Sequence, residues 1–179
     1  VQSRDAFVYH LTCRGHRWNK GVGIVNDDYE STMSRCRQDF IRKWGDWIQN
    51  DDFQFPIINP KYDIGIILDN NNKDLLHALE PWCSNIYCGV GVDLRQNYIT
   101  NEQSNTSFNL SERVLPFSNE KNNEILVTIG STFTQQDFQI IQKLSAIITD
   151  SGEVGEFELG NLKIEIFKMK NYINELINL

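Results

Sequence analysis

Long apolar runs are missing from this chain of 179 residues. No stretch reaches the roughly 18 apolar residues that a membrane-spanning helix needs, so no segment is expected to cross a bilayer. A charged-then-apolar leader is missing as well, and a cytoplasmic protein is the expectation. Histidine is scarce, with three in the chain, and the four cysteines (Cys13, Cys36, Cys83, Cys88) include no CxxC pair. Nor do they form a ligand-spaced Cys/His quartet, which removes a structural zinc site and leaves buried, reduced thiols as the expectation. No glycine-rich G-x-G-x-x-G follows a strand, so the dinucleotide fingerprint is absent. The chain opens on Val1, not methionine, and an upstream part carrying the remainder of a site is expected.

An excess of positive charge is also lacking. The net charge is −7, distributed unevenly: residues 1–50 hold eight Lys/Arg against six acids, the remaining residues nine against eighteen. A nucleic-acid binder normally carries a basic stripe between aromatics, and this chain does not. Apolar residues make up 40 % and aromatics 11 %, enough to bury a core in one compact domain or in a terminal segment plus a small domain. The sequons at Asn105 and Asn109 carry little meaning without a secretion signal. No internal repeat is evident.

Periodicity then orders the chain. Residues 6–12 read as a strand and 13–27 as a loop punctuated by Gly15, Gly21 and Gly23. Tyr29, Met33, Cys36, Phe40, Trp44 and Trp47/Ile48 recur at helical steps, and Asp27 or Asp28 suits the helix N-terminus. Arg35, Arg37, Arg42 and Lys43 fall off that stripe, which predicts a solvated face. Residues 51–61, with Pro56 and Pro60, read as a linker between a 1–50 segment and a 62–179 domain. Ile64–Leu68 is a strand buried on both faces, Lys73–Leu79 a short helix stopped by Pro81, and Ile86–Val90 the next strand of a β-α-β unit. Residues 93–122 lack a clear period, with short strands expected at 98–100 and 107–110. Glu124–Ile129 is a further buried strand. Thr134-Gln135-Gln136-Asp137 resembles a capping box opening a helix with Phe138, Ile141, Leu144 and Ile148 on one face. A hairpin about Gly160-Asn161 and a closing helix over 171–179 complete an α/β fold: a strand-loop-helix segment, then a small Rossmann-like layer.

Chemistry concentrates at the start. Phe7-Val8-Tyr9-His10 runs into Leu11-Thr12-Cys13-Arg14-Gly15-His16-Arg17-Trp18-Asn19-Lys20. A neutral imidazole at a strand end is a ligand for Mn²⁺, Zn²⁺ or Fe²⁺, or a general base. Arg14, His16, Arg17 and Lys20 on a glycine-bearing loop beside it point to an anionic ligand. Diphosphate is the commonest that uses both metal and cations, because its charge must be neutralised as a bond to it breaks. Elsewhere Glu80 and Glu102 are solitary carboxylates, expected to be solvated or capping. Cys83 beside Ser84 has only His77 near it, six positions back, which is poor support for a nucleophile.

Tyr9-His10-Leu11-Thr12-Cys13-Arg14-Gly15-His16-Arg17, followed by a helix ending Asp39-Phe40-Ile41-Arg42-Lys43-Trp44-Gly45, resembles the C-terminal end of GT-A-fold glycosyltransferases of the family 2 type, over about residues 5–48. The resemblance implies that His10 completes a metal site (Mn²⁺ or Mg²⁺) begun by an upstream D-x-D motif. It further implies that Arg14, His16 and Arg17 contact the diphosphate of a sugar nucleotide, with Lys43-Trp44 in the helix behind. A nucleotide-diphosphate sugar and a glycan acceptor would be the partners, and the 62–179 domain an accessory or acceptor-binding body. Asp27-Asp28 and Asp51-Asp52 do not replace the D-x-D motif, since one sits at a helix cap and the other in a linker. Two other readings stand beside this one. The chain can be a non-catalytic α/β module whose acidic face binds a protein partner or a second copy. It can also be a nucleotide or sugar-phosphate binder using the Leu68–Asn72 turn, because open α/β sheets bind ligands at that edge.

Overall fold

The computed structural model describes residues 27–47, 49–57, 59–69, 72–88 and 92–169. The strand expected at 6–12, its basic loop and the closing helix expected at 171–179 lie outside them. The chain divides into two compact units, Val1–Arg37 and Gln38–Leu179. The first helix, α1 (Asp27–Trp44), runs through the division, so its last turns belong to the same unit as the sheet.

In the first unit the described residues are the opening turns of α1, where the Arg35 guanidinium donates to the Ser31 carbonyl and hydroxyl one turn back. Cys36 is exposed there, not buried as its place on the apolar stripe suggests.

In the second unit α1 ends at Gly45, whose left-handed φ of 79° turns the chain while its N–H returns to the Ile41 carbonyl at 2.7 Å. Lys61 reaches back to the carbonyls of Arg42 (2.6 Å) and Lys43 (3.2 Å), which places a cation on the negative end of the helix. The segment expected to be a linker is partly a small hairpin. Strands β1 (Gln49–Asn50) and β2 (Pro56–Ile57) pair antiparallel about a turn in which the Asp51 carboxylate accepts from the Phe53 and Phe55 N–H groups.

A six-stranded mixed sheet follows, confirming the α/β class. Its strands are β3 (Ile64–Leu68), β4 (Asn85–Cys88), β5 (Val114–Pro116), β6 (Ile125–Ile129), β7 (Gly155–Leu159) and β8 (Leu162–Ile166). They lie in the order β5-β4-β3-β6-β8-β7. The first four are mutually parallel, and the hairpin β7-β8 joins β6 antiparallel. β3 sits centrally with parallel partners on both sides, and Ile64, Gly65, Ile66 and Leu68 are buried, as the continuous apolar run predicts. β8 shows the expected alternation: Leu162, Ile164 and Ile166 are buried, while Lys163 is exposed and Glu165 half-buried. Gly65 is where a side chain has no room, since a Cβ there would meet the Asn123 amide and Leu126. That amide fastens the sheet's lower edge, donating to Asp63 and Asn85 and accepting from the Tyr87 hydroxyl at 2.7 Å.

Helix α2 (Lys73–Leu79) links β3 to β4 and is capped by the Asn72 side chain. A 3₁₀ turn over Glu80–Trp82 then places Pro81 where the helix stops. Residues expected to form strands at 98–100 and 107–110 are instead helical: α3 (Val92–Glu102) and the four-residue α4 (Leu110–Arg113). The reason is a sparse stripe. Leu94, Tyr98 and Ile99 suffice to seat α3 on the core although most of its other residues are polar. Helix α5 (Gln135–Ser151) carries the expected capping box between Thr134 and Asp137 and ends at Gly152 in the left-handed conformation. Ile141, Leu144 and Ile148 are buried on its inner face.

Candidate functional site

His10, Arg14, His16, Arg17 and Lys20 all lie outside the described residues. Among the described residues no group of three or more His, Cys, Asp or Glu side chains is placed to hold a metal ion. The metal ligand expected from the sequence, His10, lies outside the described residues.

The densest charged cluster is built around Glu80, expected to be solvated and in fact 0 % exposed. It meets Arg42, 38 positions earlier, also expected at the surface and 3 % exposed. Arg42 donates from Nε (2.9 Å) and from its terminal nitrogen (2.6 Å) to the same Glu80 oxygen. Arg113 Nε donates to the other carboxylate oxygen at 2.5 Å, and its terminal nitrogen to the carbonyls of Glu80 (3.0 Å) and Cys83 (2.5 Å). The Tyr98 hydroxyl completes the set at 3.2 Å from Glu80. Asp39 takes the remaining side of Arg42 at 2.8 Å and accepts the Thr106 hydroxyl. Four elements (α1, the 3₁₀ turn, α3 and α4) are thereby tied to one carboxylate.

The electrostatics follow. Burial pushes Glu80 up, but the hydrogen bonds and charges of Arg42 and Arg113 outweigh it and hold the carboxylate below its usual range. Burial and the Glu80 charge push the Tyr98 hydroxyl well above an ordinary phenol. An ionised, saturated carboxylate and a phenol that stays protonated are not poised for proton transfer at neutral pH. The cluster is architecture.

The remaining reactive candidates fare similarly. Cys83 is buried, its thiol pushed up by burial and directed at the carbonyls of Leu79 and Glu80. Its supposed partner His77 contacts Gln38 (3.4 Å) and lies 3.9 Å from Glu102, which itself accepts from Asn105. Burial raises Cys88 to about 11. At the carboxyl edge of the sheet, the Asn72 side-chain amide oxygen accepts the N–H groups of Asp74 and Leu75 as a helix cap. Asp137 accepts from Thr134 and Asn161, which holds its carboxyl well below the usual range. Asp69 is exposed at that edge.

A recess is lined by the last turns of α1 and by the β1-β2 hairpin. It encloses about 320 Å³ and is walled by Phe40, Trp44 and Trp47. Phe40 and Trp44 are the end of the helical stripe legible in the sequence. They are left half-buried because α1 turns Ile41 and Arg42 to the core. Trp47 is 41 % exposed; its ring meets Trp82 edge-on at 5.6 Å and its backbone N–H donates to the Asp46 carboxylate at 2.6 Å. Trp44 stacks at a tilt on Phe40, 6.2 Å between centroids, with the Lys43 ammonium 5.1 Å from its ring. Asp46 is buried and also accepts the amides of Asn59 (2.5 Å) and Gln49 (3.4 Å). Beyond the recess the hairpin presents Phe53 (81 % exposed) and Phe55 (67 %) to solvent.

No helix among the described residues is long and apolar enough to cross a membrane. Compared with known protein families, with characterised proteins and with solved structures, the chain matches none.

Proposed function

We propose that the chain is the C-terminal part of a metal-dependent glycosyltransferase that uses a nucleotide-diphosphate sugar, with residues 62–179 forming an accessory or acceptor-binding domain. The observation that carries this division is the fate of the ionisable groups. In the second unit the buried Glu80 is paired with Arg42 and Arg113 and the buried Cys83 thiol is held neutral, while one buried oxygen of Glu124 has no partner among the described residues. The loop with His10, Arg14, His16, Arg17 and Lys20 concentrates imidazole and cationic side chains in its composition. Its resemblance to the transferase motif supports the same assignment. In such a site His10 would be one metal ligand, and the metal would neutralise the leaving diphosphate. The cations would hold the phosphate oxygens in place.

The direct test is calorimetric titration of UDP and GDP into the chain with and without Mn²⁺. Binding that requires Mn²⁺ and disappears in Arg17→Ala supports the proposal. Binding that ignores both metal and the substitution contradicts it. A second reading, a protein-interaction module, draws on one observation, the two exposed phenylalanines at the hairpin tip. It expects a stoichiometric partner lost on Phe53→Ser and no nucleotide binding.

A further inference from the structure

We infer that the recess between α1 and the hairpin is a saccharide-binding subsite, taking a neutral pyranose unit against Trp44 and Trp47. Its volume of about 320 Å³ sits at the small end of ligand pockets, roughly 300–1,000 Å³. Its lining is mostly apolar, with Asp46, Gln49 and Asn59 as the polar side chains among the described residues. Trp44 and Trp47 line it, and the negative quadrupole of an indole face attracts the weakly positive C–H face of a sugar ring. Asn59 and Gln49 donate their NH₂ groups to Asp46. Each amide is thereby oriented, leaving its carbonyl oxygen as an acceptor for a hydroxyl.

Charge and polarity select this occupant over others. Among the described residues lining the recess there is no Lys, Arg or His, the nearest cation being Lys43 on the Trp44 ring, and one is Asp46, which disfavours phosphate, carboxylate or nucleotide ligands. A wholly apolar segment would cover the Gln49 and Asn59 amides without giving their oxygens a partner, a cost saccharide hydroxyls avoid. The rings are also pre-positioned, Trp47 by Trp82 and Trp44 by Phe40. Little ordering therefore remains for binding to bring about. The inference rests on the transferase proposal for the saccharide's role as acceptor. Its binding does not depend on that role.

The test is a titration of maltohexaose, cellohexaose and chitohexaose into the full chain. It is followed by the side-chain amide resonances of Gln49 and Asn59 and by tryptophan fluorescence. At least one saccharide is expected to move both amides. Trp47→Ala is expected to weaken that binding roughly tenfold. Gln49→Ala, at an exposed side chain whose loss should leave the fold intact by circular dichroism, is expected to weaken it several-fold. Amides unmoved by all three saccharides, or binding indifferent to both substitutions, overturns the subsite. So does concentration-dependent self-association that protects Trp47, which would make the recess a contact between copies. UDP with Mn²⁺, titrated into the same samples, separates the two proposals. Saccharide binding lost in Trp47→Ala keeps the subsite whether or not nucleotide binds; nucleotide binding without saccharide binding removes the subsite and keeps the transferase proposal.

Discussion

Glu80 carries more of the second unit than any other single side chain. Removing it with Glu80→Ala leaves two guanidinium groups, Arg42 and Arg113, in a buried site without their anion. Breaking a buried pair in this way costs about 3–5 kcal/mol, and urea unfolding of the variant should show a loss of that order, with Glu80→Gln losing less. The same group sets an acid limit. Its folded pKa lies below the unfolded value near 4.5, so its contribution is fully present above that pH. It fades as pH falls through the folded value. Thermal melts of the wild type should therefore decline on the acid side more steeply than those of Glu80→Gln. Thiols give an independent check. Iodoacetamide at mildly alkaline pH should modify the exposed Cys36 in the folded chain and spare Cys83 and Cys88, whose thiols burial keeps protonated. Rapid labelling of Cys83 would contradict the packing described. The Glu80 cluster was illegible because its members lie 38 and 33 positions apart. Each alone looks like an ordinary surface charge. One local signal existed: a single carboxylate inside Leu79-Glu80-Pro81-Trp82-Cys83 has few apolar-free places to go.

Elements with strong local chemistry were readable, and those seated by sparse contacts were not. The Thr134–Asp137 capping box and the turn at Gly160-Asn161 both appear where the spacing puts them, and the structure joins them. Asp137 reaches the Asn161 N–H at 2.9 Å, and a Cβ at Gly160 (φ 61°) would collide with the same carboxylate. Thr134→Ala should cost about 1 kcal/mol, the usual value of a lost N-cap. Amide exchange should accelerate first in the opening turn of α5. Gly160→Ala should be worse than a turn substitution alone, since it adds that collision to a left-handed φ. By contrast α3 sits on only Leu94, Tyr98 and Ile99. Three contacts among polar residues leave too little periodicity to separate helix from short strands. Strand β5 is three residues at the sheet's edge ending in Pro116, tolerated there because an edge strand can lack a donor. Helix α1 was legible as a helix, yet its inward side near Gln38–Trp44 was not. The pairing of Arg42 with Glu80, rather than the apolar stripe, decides which side faces the core.

At the scale of the molecule, continuous apolar runs identified the parallel centre of the sheet, and alternation identified the antiparallel strand β8. Their order could not be read, because it depends on long-range pairing that periodicity does not encode. The division after Arg37 likewise falls inside a continuous helix, where composition changes little. The proposed function follows the same line: donor chemistry is proposed for the loop that begins at His10, and the described part of the second unit holds the paired Glu80 cluster and an aromatic recess. The most direct measurement is Mn²⁺-dependent UDP binding by calorimetry in three proteins: the wild type, His10→Ala and Asp69→Ala. Binding by the wild type and Asp69→Ala, lost in His10→Ala, is the expected result. Binding that survives His10→Ala and disappears in Asp69→Ala would move the nucleotide to the sheet's edge and contradict the division.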